Sequence, residues 1–146
     1  MDVKNKRVVV TGAASGIGKA LCEAFHQAGA QSIVAVDMNI QGAQETADSV
    51  NGMAIQANVG KEEDIINVIE KANEHVGGID IFCSNAGIGG VPGFFEATAA
   101  DWQNIWDVNV QGHIFAAKHV LPQMIERGEG YLVNTSSAAG LLTQLG

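Results

Sequence analysis

Few residues in this chain have types and spacing that could do chemistry. The first group is Thr11-Gly12-Ala13-Ala14-Ser15-Gly16-Ile17-Gly18. It lies between a short β-branched run, Arg7-Val8-Val9-Val10, and a stretch where Ile17, Leu21, Ala24, Phe25 and Ala28 recur at helical spacing. Glycines in a turn from a strand into a helix suit a phosphate. The backbone N–H groups of the helix N-terminus point outward, and the helix dipole favours negative charge. Glycine also lets the chain turn tightly and lets a pyrophosphate approach the backbone. The glycines run G-x-x-x-G-x-G, which departs from the strict G-x-G-x-x-G fingerprint. A phosphate-loop reading, and with it a nucleoside triphosphatase, fails because Ala20 follows Gly18-Lys19 where Ser or Thr is required.

The second chemical residue is Asp37, which ends the apolar run Ser32-Ile33-Val34-Ala35-Val36. It stands 19 positions after Gly18, where a dinucleotide fold places an acid on the adenosine ribose. Its carboxylate can accept from ribose hydroxyls and would repel a 2′-phosphate. Neither Ser15 nor the neighbouring Met38 offers a positive charge to that phosphate, so the pattern favours NAD over NADP. The competing reading of Asp37 is a cap for the following helix. Further along, Asn58-Val59 and Ser84-Asn85-Ala86-Gly87 also stand at the ends of apolar runs.

The elements that must position these groups follow from periodicity. The first helix runs to about residue 28 and stops at Gly29, and a weakly amphipathic second helix spans 40–50. Met53-Ala54-Ile55-Gln56-Ala57 reads as a third strand, and 61–75 as a third helix with Ile65, Ile69, Ala72 and Val76 on one face. Ile79-Asp80-Ile81-Phe82-Cys83 is a fourth strand, followed by a Gly- and Pro-rich loop over 88–95. Thr98 and Asp101 form a capping box for a helix carrying Trp106, Val110, Ala117 and Leu121 as far as Pro122. Asn109 sits inside that helix, where a solvated Asn is one reading. Glu129-Gly130-Tyr131-Leu132-Val133-Asn134 reads as a fifth strand, which delivers Thr135-Ser136-Ser137-Ala138-Ala139-Gly140 to the same edge. Unbroken alternation of strand and helix predicts an α/β fold, a Rossmann-like doubly wound parallel sheet with helices on both faces. Ligands of such sheets bind beyond the carboxyl ends of the strands. Gly12 to Gly18, Asp37, Asn58 and Asn85 to Gly87 all fall there.

Composition narrows the class. A formal charge of −8 with no basic block argues against nucleic acid or an anionic membrane as partner. No apolar run approaches membrane-spanning length. Cys22 and Cys83 lack metal-ligand spacing and sit in apolar surroundings, as buried thiols of a reducing, cytoplasmic protein do. The four histidines are scattered, and no metal is expected. The length suits a single domain over 1–146.

Laid out in this order, the chain resembles the short-chain dehydrogenase/reductase family from Arg7 to about Leu142. Thr11 to Gly18 matches the cofactor signature T-G-x-x-x-G-x-G, and Ser84-Asn85-Ala86-Gly87 matches N-N-A-G with Ser for the first Asn. Asn58-Val59 matches the family's Asp-Val. Asn109 in Val108-Asn109-Val110 matches the helix asparagine, and Ser137 the catalytic serine. The resemblance implies hydride transfer between NAD and an alcohol or carbonyl substrate. It implies that Gly12, Ser15, Gly16, Ile17, Gly18, Asp37, Met38, Asn58 and Val59 hold the dinucleotide, and that Asn85, Ala86 and Gly87 line the nicotinamide-side ribose. Asn58 would accept from the adenine amino group. Ser137 would hydrogen-bond the substrate oxygen, and Asn109 would hold a water through a local break in its helix. The family's Tyr-x-x-x-Lys pair has no match before Gly146, so the segment is expected to be the cofactor-binding two-thirds of an enzyme, inactive alone. The expected fold is accordingly truncated after the fifth strand, leaving that strand as an exposed edge. The intact protein is expected to be a homodimer or homotetramer paired through the Trp102 to Leu121 helix. A non-catalytic NAD-binding or sensing module of the same fold is the alternative. Phe94, Phe95 and Leu141 hint at an apolar patch for the substrate, whose identity the residues leave open.

Overall fold

Alternating β-branched residues on short strands, separated by helices with one apolar face, build a single parallel sheet. The computed structural model describes residues 2–90, 93 and 95–141. Along the chain run β1 (Arg7–Thr11), α1 (Gly16–Gln27), β2 (Ser32–Asp37), α2 (Ile40–Ser49), β3 (Met53–Gln56) and α3 (Glu62–Val76). There follow β4 (Ile81–Ser84), α4 (Ala99–Trp106), a π-helical turn (Asp107–Gln111), α5 (Gly112–Arg127), β5 (Tyr131–Asn134) and a 3-10 turn (Ala138–Gly140). The strand order is β3-β2-β1-β4-β5, and every pairing is parallel. This is the doubly wound arrangement expected from the sequence.

The two-residue period of the strands divides the core. Val9, Val34, Val36 and Phe82 pack with Ile65, Val68, Ala116, Val120 and Met124 of α3 and α5. Val8, Val10, Ile33 and Ile81 face the other way, onto Cys22 of α1 and Ala47 of α2. Both faces of the central strands are thereby buried, as a parallel sheet requires. Cys22 and Cys83 are free and buried, and burial pushes each thiol up to about 12, so both stay protonated and chemically quiet. On β5, Tyr131 and Val133 are exposed and only Leu132 is partly covered.

Two expectations about the long helical segment change. Pro122 lies inside α5, which continues to Arg127 and ends at Gly128 in the left-handed region. The apolar stripe picked out by periodicity is also not the core face. Trp106 and Leu121 are exposed and Val110 and Ala117 only partly buried, whereas Val108, Gly112, Ala116, Val120 and Met124 are buried. The helix has two apolar stripes, and the sheet takes the one with smaller residues. The capping box at Thr98 forms as expected, with Asp101 N–H donating to Thr98 Oγ1 and Thr98 N–H donating to Asp101 Oδ2.

The N-terminal edge of the sheet is closed by charge. Arg7 donates from Nε to Asp80 Oδ2 at 2.8 Å and from Nη2 to Asp80 Oδ1 at 2.6 Å, and its Nη1 reaches the Gly77 carbonyl. Arg127 stands 3.7 Å from the same carboxylate and donates to the Ile79 carbonyl. The Arg7 hydrogen bonds hold the Asp80 carboxyl down at about 2, against burial.

Candidate functional site

All five strands end at one edge, and the polar residues singled out from the sequence gather there. The N-terminus of α1 has Ser15 as its N-cap residue, with no side-chain hydrogen bond to its free N–H groups. Gly16 takes φ +52°, and a Cβ built there would meet nothing within 4 Å, so the turn opens onto solvent. Gly18 is buried, and a Cβ on it would collide with the Gly12 carbonyl. One glycine thus gives the turn its conformation and the other its close packing. The result is a concave cradle of free N–H groups with the dipole of a 12-residue helix behind it.

Asp37 stands at the end of β2 and is not the cap of the next helix. That role falls to Asn39, whose side chain accepts from Gly42 N–H. Asp37 instead accepts from Ala14 N–H at 3.0 Å through Oδ2 and from Asn39 N–H at 2.9 Å through Oδ1. Two fixed donors orient the carboxylate while leaving lone pairs for hydroxyl donors. It borders a slot of about 120 Å³ that Gly12, Met38, Asn58, Val59, Ala86 and Gly87 also line. No lysine or arginine is among the slot's lining residues.

Asn85 and Asn109 serve as fasteners. Asn85 donates from Nδ2 to the Thr11 carbonyl at 3.0 Å, and its Oδ1 accepts from Thr135 Oγ1 at 2.8 Å. Thr11 Oγ1 in turn accepts from the N–H groups of Asn85 and Ala86 at 2.9 and 3.0 Å. The ends of β1, β4 and β5 are bolted together by these bonds. The Asn109 side chain is far from a solvated one. Its Oδ1 accepts from Ile88 N–H and its Nδ2 donates to the Ile88 carbonyl, both at 2.8 Å, as a neighbouring strand would. The local helix break is present as the π turn, where Gly112 N–H donates back to Asp107 O.

Across from α1 opens a cleft of about 690 Å³ lined by Ile17, Asn85 to Ile88, Asn109, Val110, His113, Ile114 and Asn134 to Ser137. Ser137 is exposed on its wall, just before the 3-10 turn. Sequence reasoning did not nominate Thr11, Thr135 or His113, and it named Ile88 only as the start of a substrate-shaping segment over 88–95. Thr11 and Thr135 were inside quoted motifs, so their hydroxyls were the available signal. Nothing in the sequence marks the backbone of Ile88. The Nδ1 atom of His113 is buried and has no hydrogen-bond partner among the described residues. Phe95 and Leu141 are almost fully exposed, and Phe94 lies outside the described residues. Among the described residues no helix is long and apolar enough to cross a membrane, and no group of three His, Cys, Asp or Glu is placed to hold a metal.

The model of the family described as short chain dehydrogenase matches residues 6–146. Glucose 1-dehydrogenase 2 of Bacillus subtilis is 36% identical over 143 residues, covering 93% of this chain and 55% of that protein. 2-(S)-hydroxypropyl-CoM dehydrogenase 3 of Xanthobacter autotrophicus is 34% identical, covering 96% of this chain and 56% of its own. A short chain dehydrogenase/reductase from Burkholderia phymatum, solved in complex with NAD, superposes with a TM-score of 0.93 at 28% identity. That match covers 99% of this chain and 53% of the solved one. The chain spans about half the length of the curated relatives it matches.

Proposed function

Because this chain belongs to the short chain dehydrogenase family, we propose that the whole protein is an NAD-dependent oxidoreductase acting on an alcohol or carbonyl group. The observation that carries the NAD reading is Asp37, held by Ala14 and Asn39 beside a slot whose lining offers no cationic side chain. A diol can donate to that carboxylate, while a 2′-phosphate would meet like charge. The residues present fit a dinucleotide: the α1 cradle for a pyrophosphate, Asp37 for a ribose, and the slot beyond it for a base. NAD, when bound, supplies a two-electron hydride acceptor, and its reduced form the donor.

This chain's own residues bind, orient and protect. Gly16 and the uncapped N–H groups of α1 take the negative charge. Asn85 keeps the strand ends at fixed separation, so that Ala86 and Gly87 form the shared wall of slot and cleft. Ser137 donates a hydrogen bond to the substrate oxygen and stabilises charge developing there. Asn109 acts by positioning: it clamps Ile88 and lies in the π turn, which supplies the place for a water on the proton path. The proton itself is exchanged by a tyrosine–lysine pair beyond residue 146. Cytoplasmic location, and pairing of subunits through the exposed Trp102, Trp106 and Leu121, belong to the same proposal.

The test is the ratio of kcat/KM for NADH and NADPH with the full-length protein and a panel of small ketones. A preference for NADH of about tenfold or more is expected, corresponding to roughly 1.4 kcal/mol. A preference for NADPH overturns the NAD reading.

A further inference from the structure

The base slot contains one polar side chain besides Asp37, and its hydrogen-bonding sense is set by its surroundings. Asn58 Oδ1 lies 3.0 Å from the backbone nitrogen of Gly60 and accepts its N–H. That contact fixes the amide orientation, because a nitrogen there would place two donors face to face. The remaining end of the amide is Nδ2, which can only donate, and it has no acceptor among the described residues. The backbone on either side is committed: Asn58 N–H donates to Asp64 Oδ2 at 2.8 Å, and the Asn58 carbonyl accepts from Lys61 N–H. Val59 lines the same slot, and its N–H also lacks an acceptor among the described residues. The rest of the slot lining is glycine or apolar, Met38, Ala57, Ile88 and Val108 included.

A base slot furnished with donors favours a base edge that carries acceptors. Adenine presents a donor at its exocyclic amino group beside the N7 acceptor, whereas a 6-oxopurine presents acceptors at both O6 and N7. We propose that Asn58 is a specificity-determining residue that makes this site tolerant of 6-oxopurine dinucleotides. The Oδ1 acceptor suggested by the sequence for adenine already takes the Gly60 N–H, and beside it residue 58 presents an unpaired amide donor. The inference rests on the dinucleotide reading above and goes beyond it, to which base the site accepts.

The experiment uses the full-length protein and measures dissociation constants of NADH and reduced nicotinamide hypoxanthine dinucleotide by fluorescence. The two constants are expected to agree within about threefold, or to favour hypoxanthine. Asn58→Asp keeps an oxygen for Gly60 N–H and turns the free end into an acceptor. It is expected to shift the ratio towards adenine by about tenfold, which is roughly one hydrogen bond reversed. Thermal melting of the variant is read in parallel, and the wild-type ratio stands independently of it. A wild-type preference for NADH above tenfold, or a ratio unmoved by the substitution in a folded variant, overturns the role of Asn58 while leaving the dinucleotide site intact. Failure of both dinucleotides to bind overturns the site and the inference together.

Discussion

The two edges of the sheet use polar residues in opposite ways. At the N-terminal edge, Arg7, Asp80 and Arg127 satisfy one another and two carbonyls, and Lys6 pairs with Glu129 at 2.5 Å. The network is closed on itself. At the C-terminal edge, Asp37, Asn58, Asn85 and Asn109 each grip a piece of backbone. Each keeps a donor or a lone pair beyond the bonds it makes. Charge at one edge locks the fold; amides and a carboxylate at the other hold a shape in readiness. Stability and chemistry should therefore be separable by mutation.

The largest effect should come from Ser137→Ala in the full-length protein. Removing one donor to a developing oxyanion costs on the order of 10²–10³ in kcat, with NADH affinity and melting temperature unchanged. Steady-state kinetics beside a binding titration checks this, and a loss of affinity equal to the loss of kcat would break the separation. Next in size, Asp80→Ala leaves two guanidinium groups beside an apolar strand end. It should lower the unfolding free energy by about 3 kcal/mol, measured in urea, while the folded fraction binds NADH normally. The smallest effect is acid sensitivity. Asp80 titrates at about 2 in the fold against an ordinary 3.8, so its contribution is complete above pH 4 and is lost as pH falls towards 2. Urea midpoints between pH 5 and 2.5 should therefore fall more steeply for the wild type than for Asp80→Asn.

The same contrast explains what could be read from the chain. Strand ends at Gly12, Asp37, Asn58 and Asn85 were legible because small and polar residues interrupt apolar runs, and a parallel sheet brings all such interruptions to one edge. Asp37 was legible as the end of β2 by its place after an apolar run, but its donors, Ala14 and Asn39, were not, since backbone N–H groups leave no mark on a sequence. The place of Asn58 at that edge was legible, but the orientation of its amide was not, because the Gly60 N–H that sets it depends on the local turn. The ion network at the opposite edge was missed altogether. Arg7 and Asp80 lie far apart in sequence, and only the register of β1 against β4 makes them neighbours.

The buried stripe of α5 was misread for a reason that lies in the π turn itself. One extra residue in a helical turn shifts the sequence period beyond it by one position, about 100° of helical phase, relative to the period before it. Before the turn, the capped helix carries Thr98 and two exposed tryptophans; beyond it, Gly112, Ala116, Val120 and Met124 line up on the sheet. Deleting a single residue between 107 and 111 would restore an ordinary helix while leaving the segments on either side on the faces they now hold. The same deletion would carry Asn109 away from Ile88. The extra residue is thus a local device that places Asn109 against Ile88, separable from the packing of the helix on either side.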